Sequence, residues 1–305
     1  MNFRDLEYLV ALAKHKHFRH AAEACHVSQP TLSGQLRKLE QELGVSLVER
    51  SSRKVLFTEM GMQLVQQAQQ VLLEAKKFSE MASAQHDEMS GPLRVGLIPT
   101  VGPYLLPRIV ILLRERFPQL ELFLYEAQTH QLVEQLASAE LDCLILASVK
   151  ETQHFSELSL YREPMLLALP SQHPLAKYPP KNLSELAGES LLMLSDGHCL
   201  RDQALGFCFS AGAGEDSSFQ ATSLETLRNM VAAGGGMTLL PELAISQHPQ
   251  PGIEYLRLED PQPFREIVLA YRPGSALKQR YQQLARVIGS HIQPQLCSAG
   301  KGKDG

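Results

Sequence analysis

Residues 21–61 read AAEACHVSQPTLSGQLRKLEQELGVSLVERSSRKVLFTEMG, and the architecture of the first part of the chain turns on them. Just upstream, LEYLVALAKH (6–15) is apolar at helical intervals. In FRHAAEAC (18–25), Phe18, Ala21, Ala22 and Cys25 share one helical face, and the small alanines admit a close neighbour. HVS (26–28) is a short turn. Ser28 is placed to cap a helix that opens QPT, with Pro30 in its first turn, and Gly44 is placed to end it. Two short helices joined by a turn of about three residues form a helix-turn-helix.

Unrolled at about 100° per residue, the second helix puts Leu32, Leu36, Leu39 and Leu43 in one stripe facing a core. Its opposite side carries Pro30, Thr31, Ser33, Gly34, Arg37, Lys38 and Gln41. Glycine inside a helix costs about 1 kcal/mol relative to alanine, so Gly34 suggests close approach of another backbone. Small hydroxyls and an arginine near a helix N-terminus suit base edges and phosphates in a major groove, although a plain solvated face would look similar. VSLVERSSRKVLFTEMG (45–61) is patterned as a hairpin with Arg50, Arg53 and Lys54 about its tip. Beside a recognition helix that is a wing; otherwise it is a surface charge cluster.

Together these residues are similar to the winged helix-turn-helix of LysR-type transcriptional regulators. The resemblance implies binding to double-stranded promoter DNA through Pro30, Thr31, Ser33, Arg37 and Lys38 on the helix and Arg50 and Arg53 on the wing.

Charge distribution is compatible with that expectation. The first 60 residues carry 9 Lys/Arg and 7 Asp/Glu, whereas the remainder carries 20 and 26, for a net −4 over 305 residues. With 44% apolar and 20% charged residues the chain has an ordinary globular composition. MNFRDLEYLV (1–10), interrupted by Asp5, is not patterned as a signal peptide, and the apolar window around 95–113 is broken by Pro99, Pro103 and Pro107. A cytoplasmic protein with no membrane partner is expected, with its five cysteines kept reduced.

From Met62 to Gln85 there is no Gly or Pro, and Leu64, Ala68, Val71, Ala75, Phe78 and Ala82 follow an a/d repeat. This predicts a dimer linker at 61–89, after a DNA-binding domain at 1–60, though a helix packed on its own domain would share the pattern. Beyond it, LRVGLIP (93–99), ELFLYEA (121–127) and LDCLILA (141–147) alternate with helical stretches, which predicts an α/β fold with a parallel sheet. The pattern restarts near EPMLLALP (163–170) and closes with LKQRYQQLARVIGSHI (277–292). This region resembles the two-lobed, periplasmic-binding-protein-like effector domain of the LysR family. It is expected at 90–292, with lobe I at 90–162 and 266–292, lobe II at 163–265, and a flexible tail at 293–305. Thr100, and Thr129 with His130, follow strand ends where ligands sit in such sheets, although each Thr could serve as a helix cap.

DGHCLRDQALGFCF (196–209) places Cys199 at a helix start and Cys208 between two phenylalanines. The helix start, with His198 and Arg201 adjacent and Arg265 able to approach through the fold, predicts a lowered thiol pKa at Cys199. Cys25 and Cys143 lie on apolar faces as inert thiols, and Cys297 lies in the tail. If 199–208 is helical, nine residues at about 1.5 Å each set the two cysteines roughly 13 Å apart. A disulfide needs Cα atoms within about 7 Å, so pairing requires the segment to be dismantled, with Cys208 and both rings extracted. The pair reads as a bistable redox switch.

Within the LysR family, GHCLRDQALGFCF together with ATSLETLRNMVAAG (221–234) is similar to the hydrogen-peroxide sensors. That resemblance implies a peroxidatic Cys199, a resolving Cys208, and a peroxide pocket of Thr100, Thr129, His198 and Arg265. It also implies activation of antioxidant genes through RNA polymerase, reduction by glutathione and glutaredoxin, a homodimer or homotetramer, and no cofactor or metal. Ser218 stands where some relatives have His. Two other functions are compatible with the residues: a metabolic regulator binding a small organic acid between the lobes, and a thiol peroxidase, for which the helix-turn-helix has no use. An enzyme is not expected.

Overall fold

A computed structural model describes residues 1–49, 55–83, 89–245, 250–259 and 261–298, with backbone only at 79–83 and 297–298. The chain divides into two compact units, Met1–Gln85 and His86–Gly305. Among the described residues no helix is long and apolar enough to cross a membrane.

The first unit holds α1 (Phe3–His15), α2 (Phe18–Ala24), α3 (Gln29–Leu43) and α4 (Glu59–Ser83). Asn2 and Asp5 form a capping box at the start of α1. Ser28 caps α3 by accepting from the Thr31 N–H, and Gly44 closes it in the left-handed conformation. Leu32, Leu36 and Leu39 are buried with Leu9, Leu12 and Ala21 in one core. Leu43, expected in the same stripe, is 38% exposed, because the last turn of α3 runs past that core. The hairpin after α3 is present at its base, where Val48 bridges Phe57 and the Glu49 N–H donates to the Leu56 carbonyl. Arg50, Arg53 and Lys54 lie outside the described residues.

The second unit carries β1 (Gly91–Leu97), α5 (Gly102–Arg116), β2 (Leu120–Glu126), α6 (Thr129–Ala137), β3 (Cys143–Ala147), β4 (Ser156–Pro170), α7 (Pro174–Lys177) and β5 (Ser190–Leu194). It continues with α8 (Cys199–Ser210), β6 (Gly214–Ala221), α9 (Leu224–Ala232), β7 (Thr238–Pro241), β8 (Ile253–Leu256), β9 (Phe264–Tyr271) and α10 (Lys278–Ser298). Strand order is β2-β1-β3-β9-β4-β7, with β8 also on β4 and a separate β5-β6 pair.

Two hydrophobic clusters define two lobes. One gathers β1, β3, α5 and α10 around Leu93, Leu105, Leu144 and Ile288; the other gathers β5, β7 and α9 around Leu167, Leu191, Leu227 and Leu240. β4 crosses between them, giving Leu160 and Tyr161 to the first core and Met165 and Leu167 to the second. β9 returns beside it.

The parallel sheet expected of the strands at 93–99, 121–127 and 141–147 is present, β1 pairing parallel with β2 and β3; the late strand makes the whole sheet mixed, since β9 is antiparallel to β3 and to β4. A strand that carries the chain back between lobes must oppose the strand that carried it across, and hydrophobic periodicity does not encode direction. The expected tail is corrected. α10 runs on to Ser298 because Ile292 and Leu296 are buried on the first lobe's core; residues 299–305 lie outside the described residues.

Candidate functional site

The segment before α8 is built to deliver Cys199 as the helix's first residue. Gly197 adopts φ +90°, a left-handed backbone that favours glycine, and a Cβ there would come within 2.7 Å of the Gln128 side chain. His198 is the extended N-cap residue and makes no side-chain cap bond. Leu200, Ala204 and Cys208 recur every four residues and bury one stripe of α8 in the second lobe. Cys199 is rotated off that stripe and belongs to the first lobe's core. α8 thus starts in one core and ends in the other.

α8 is also clamped from its flank. Arg201 donates bidentately to the Glu215 carboxylate on β6, with one contact at 2.9 Å, and to Asp196 at 2.9 Å. The cation suggested by sequence adjacency is therefore engaged with carboxylates. His198 does not play that part either. Burial holds its imidazole pKa below the ordinary value, and the Thr222 backbone partly restores it.

The cation that acts on Cys199 is Arg265, contributed by β9. Its guanidinium is buried, with Nε donating to Glu163 Oε2 at 2.8 Å, one terminal nitrogen to Thr100 Oγ1 at 3.0 Å and the other to the Thr100 carbonyl at 2.8 Å. Thr100 and Thr129 do not cap helices: Val101 is the N-cap of α5 and Gln128 that of α6. Thr129 Oγ1 is buried with no partner in hydrogen-bonding geometry, yet the hydroxyl is near enough to the Cys199 sulfur to favour its thiolate.

The expected lowered pKa of Cys199 is corrected. Burial pushes the thiol above its ordinary value, while Thr129, Arg265 and the Ala147 backbone pull it down and Asp202 pushes it up. Desolvation of the buried sulfur outweighs one cation that is itself paired with a carboxylate. Cys208 is buried and raised by desolvation to about 11, with no counter-charge. Phe209, by contrast, is 69% exposed, so extracting Cys208 does not require extracting both rings. Cys143 is fully buried and its thiol strongly raised, and Cys25 is raised by burial and by Glu7, both of which suit inert thiols. The side chain of Cys297 lies outside the description.

Cys199 lies beside a cleft of about 520 Å3 lined by Thr129, His130, Ser148, Lys150, Asp202 and Gln203 among others. Of the four residues expected to form the peroxide pocket, Thr129 lines this cleft directly. Arg265 and Thr100 form a bonded pair that does not line it, and His198 meets the Thr222 backbone. Glu163, which completes the Arg265 network, was not anticipated from sequence. Its one signal is a charge inside the apolar run of β4, where a buried carboxylate requires a partner. Among the described residues no three His, Cys, Asp or Glu side chains cluster as metal ligands.

In the first unit, Pro30, Thr31, Arg37, Lys38 and Gln41 are exposed along α3, and Ser33 is half-buried. A Cβ at Gly34 would touch nothing within 4 Å, so among the described residues no other segment's backbone approaches there. On α4, Leu64 and Ala68 pack on the helix-turn-helix core, while Val71 and Phe78 are 37% and 78% exposed. The seam is thus split: its first part serves its own domain, while further along Val71 and Phe78 are exposed and Ala75 is half-buried. The side chain of Ala82 lies outside the description.

Residues 3–62 match the bacterial regulatory helix-turn-helix of the lysR family, and residues 86–293 match the LysR substrate-binding domain. The chain belongs to the LysR family of bacterial transcriptional regulators. Within it, the chain is 64% identical over 293 residues to the DNA-binding transcriptional dual regulator OxyR of Escherichia coli K12, covering 96% of each chain. Crystal structures of reduced and oxidised OxyR match it with TM-scores of 0.63 and 0.62 and identities of 56% and 59%. Each covers 68% of this chain and 98% of the other.

Proposed function

We propose that this protein is a promoter-binding transcriptional regulator that senses hydrogen peroxide through a reversible Cys199–Cys208 disulfide. The observation that carries the reading is α8, which holds one thiol in each lobe's core and keeps them apart in the resting fold. Similarity to proteins called hydrogen peroxide-inducible genes activators supports it independently.

The chemistry follows from the residues. The Cys199 thiolate attacks one oxygen of peroxide, forming sulfenic acid as the O–O bond breaks; the departing hydroxide takes up a proton to become water. Arg265 favours the thiolate that attacks, and the Thr129 hydroxyl, buried with no partner in hydrogen-bonding geometry, can bond the peroxide. The Cys208 sulfur then displaces hydroxide from the sulfenic sulfur, releasing a second water. One two-electron oxidant is consumed and two thiols become one disulfide.

With α8 intact, nine residues of helix separate the Cα atoms by about 13 Å, so condensation unwinds α8 and strips Cys208 from the second core. The altered lobe changes how a dimer or tetramer presents its recognition helices. Pro30, Thr31, Ser33, Arg37 and Lys38, with Arg50 and Arg53 of the wing, contact DNA. RNA polymerase receives the output, and glutathione with glutaredoxin resets the disulfide in a reducing cytoplasm.

The test combines peptide mass spectrometry and promoter footprinting on full-length protein before and after brief peroxide exposure. The wild type should gain the 199–208 disulfide and change its footprint. Cys199→Ser should bind DNA and respond to nothing, and a full response in that variant would end the proposal.

A further inference from the structure

The part of the site with no assigned task is Glu163. It is 0% exposed, sits directly opposite Arg265 in the β4–β9 register, and spends both carboxylate oxygens in the interior. Oε2 accepts from Arg265 Nε at 2.8 Å, and Oε1 accepts from the Leu243 N–H at 2.9 Å, in the 3-10 turn Glu242–Ala244. Arg265 in turn holds both the hydroxyl and the carbonyl of Thr100, and it is the cation that acts on the Cys199 sulfur. Burial of the whole chain of contacts makes its charges count, because solvent does not screen them.

Two consequences follow from this geometry. Glu163 fixes the guanidinium in the plane that faces Thr100. It also offsets the guanidinium's positive charge, so the sulfur experiences a cation whose field is largely spent on a neighbouring anion. Arg265 from β9 favours the Cys199 thiolate and Asp202 from α8 opposes it, while the Glu163 carboxylate is ion-paired to Arg265 at 2.8 Å. Packing alone does not require a carboxylate here, since a buried ion pair is no more stable than a well-packed apolar one.

We propose that Glu163 is a positioning residue for Cys199: by holding Arg265 and offsetting its charge, it sets the reactivity of the thiol in the resting state. The role presupposes the peroxide-sensing reading above for its biological meaning, but its physical content is measurable without peroxide. Iodoacetamide labels thiolates, so labelling of Cys199 in reduced full-length protein carrying Cys208→Ser reads the balance of charge at the sulfur.

At pH 7, Glu163→Gln should label about threefold faster or more, because the unopposed Arg265 charge favours the thiolate. Glu163→Asp, which restores the charge, should stay within about twofold of the parent on the same scale. A rate for Glu163→Gln that is unchanged or slower, or equal rates for the Gln and Asp variants, overturns the proposal. Should circular dichroism show Glu163→Gln unfolded, Arg265→Gln is compared with the double variant Glu163→Gln/Arg265→Gln. Equal labelling in those two supports action through Arg265, and about a threefold difference refutes it. Dimedone trapping after peroxide separates the two readings. If the parent forms no sulfenic acid while the labelling ratios hold, peroxide sensing falls and the role of Glu163 stands.

Discussion

Cys199 owes its chemistry to what surrounds its sulfur. Thr129 offers the cleanest dissection, because its buried hydroxyl makes no bond in good geometry and acts in the resting fold only on the Cys199 sulfur. Thr129→Val should therefore leave the urea midpoint unchanged or slightly raised, while peroxide oxidation of Cys199, followed by stopped-flow, slows about tenfold, the equivalent of one lost hydrogen bond. Cys208 gives a prediction in pH. Burial pushes its folded thiol up to about 11, above the ordinary cysteine range. Below pH 9 both folded and unfolded thiols are protonated and the group adds no pH dependence. Between 9 and 11 the unfolded chain loses the proton while the folded chain keeps it, so stability falls as pH rises. Urea unfolding of reduced wild type should lose up to about 2–3 kcal/mol more over that window than Cys208→Ala, and parallel pH profiles would refute the assignment.

Among the elements, α3 and α8 are each tuned for something other than their own stability. Gly34 is exposed in mid-helix and a Cβ there meets nothing. Gly34→Ala should raise stability by about 1 kcal/mol yet weaken promoter binding if the face lies against DNA. Unchanged affinity by fluorescence anisotropy would remove Gly34 from the contact face. Arg37→Ala should reduce the salt dependence of binding by about one unit of log–log slope if it contacts a phosphate. α8 is amphipathic toward two different cores and is tied to β6 by Arg201 and Glu215. After peroxide, the unwound segment should become a substrate for trypsin at Arg201, at least about tenfold faster than in the reduced protein. Equal cleavage of the two forms would show that α8 survives oxidation.

The second unit places the reacting residues on elements of both lobes and on the strands that cross between them. Arg265 and Glu163 stand on the two crossing strands, Thr100 and Thr129 belong to the first lobe, and Cys208 belongs to the second lobe's core. Movement of α8 therefore alters the contact between lobes. In the other unit, Phe78 is 78% exposed on the helix that follows the DNA-binding domain. Phe78→Glu should shift sedimentation toward monomer and weaken cooperative promoter binding if that seam joins two chains. An unchanged sedimentation coefficient would assign the seam no such part.

The helix-turn-helix was legible in the linear chain because its determinants are local: Ser28 and Gly44 cap with their own neighbours, and Leu32, Leu36 and Leu39 share a face by periodicity alone. The two cysteines and the helical spacing between them were equally legible. Direction and burial were not. β9 runs against β3 and β4, α10 continues past residue 293 on the packing of Leu296, and Thr129 leaves its helix uncapped, all through contacts made by segments far apart in sequence. The same holds for the reactive sulfur. The sequence determined which atoms are present and that a helix begins there; only tertiary structure decided that the cation is Arg265 rather than Arg201, that Glu163 stands behind it, and that desolvation raises the thiol. Local periodicity and capping depend on a few neighbouring residues, whereas a buried site's electrostatics depend on everything packed around it.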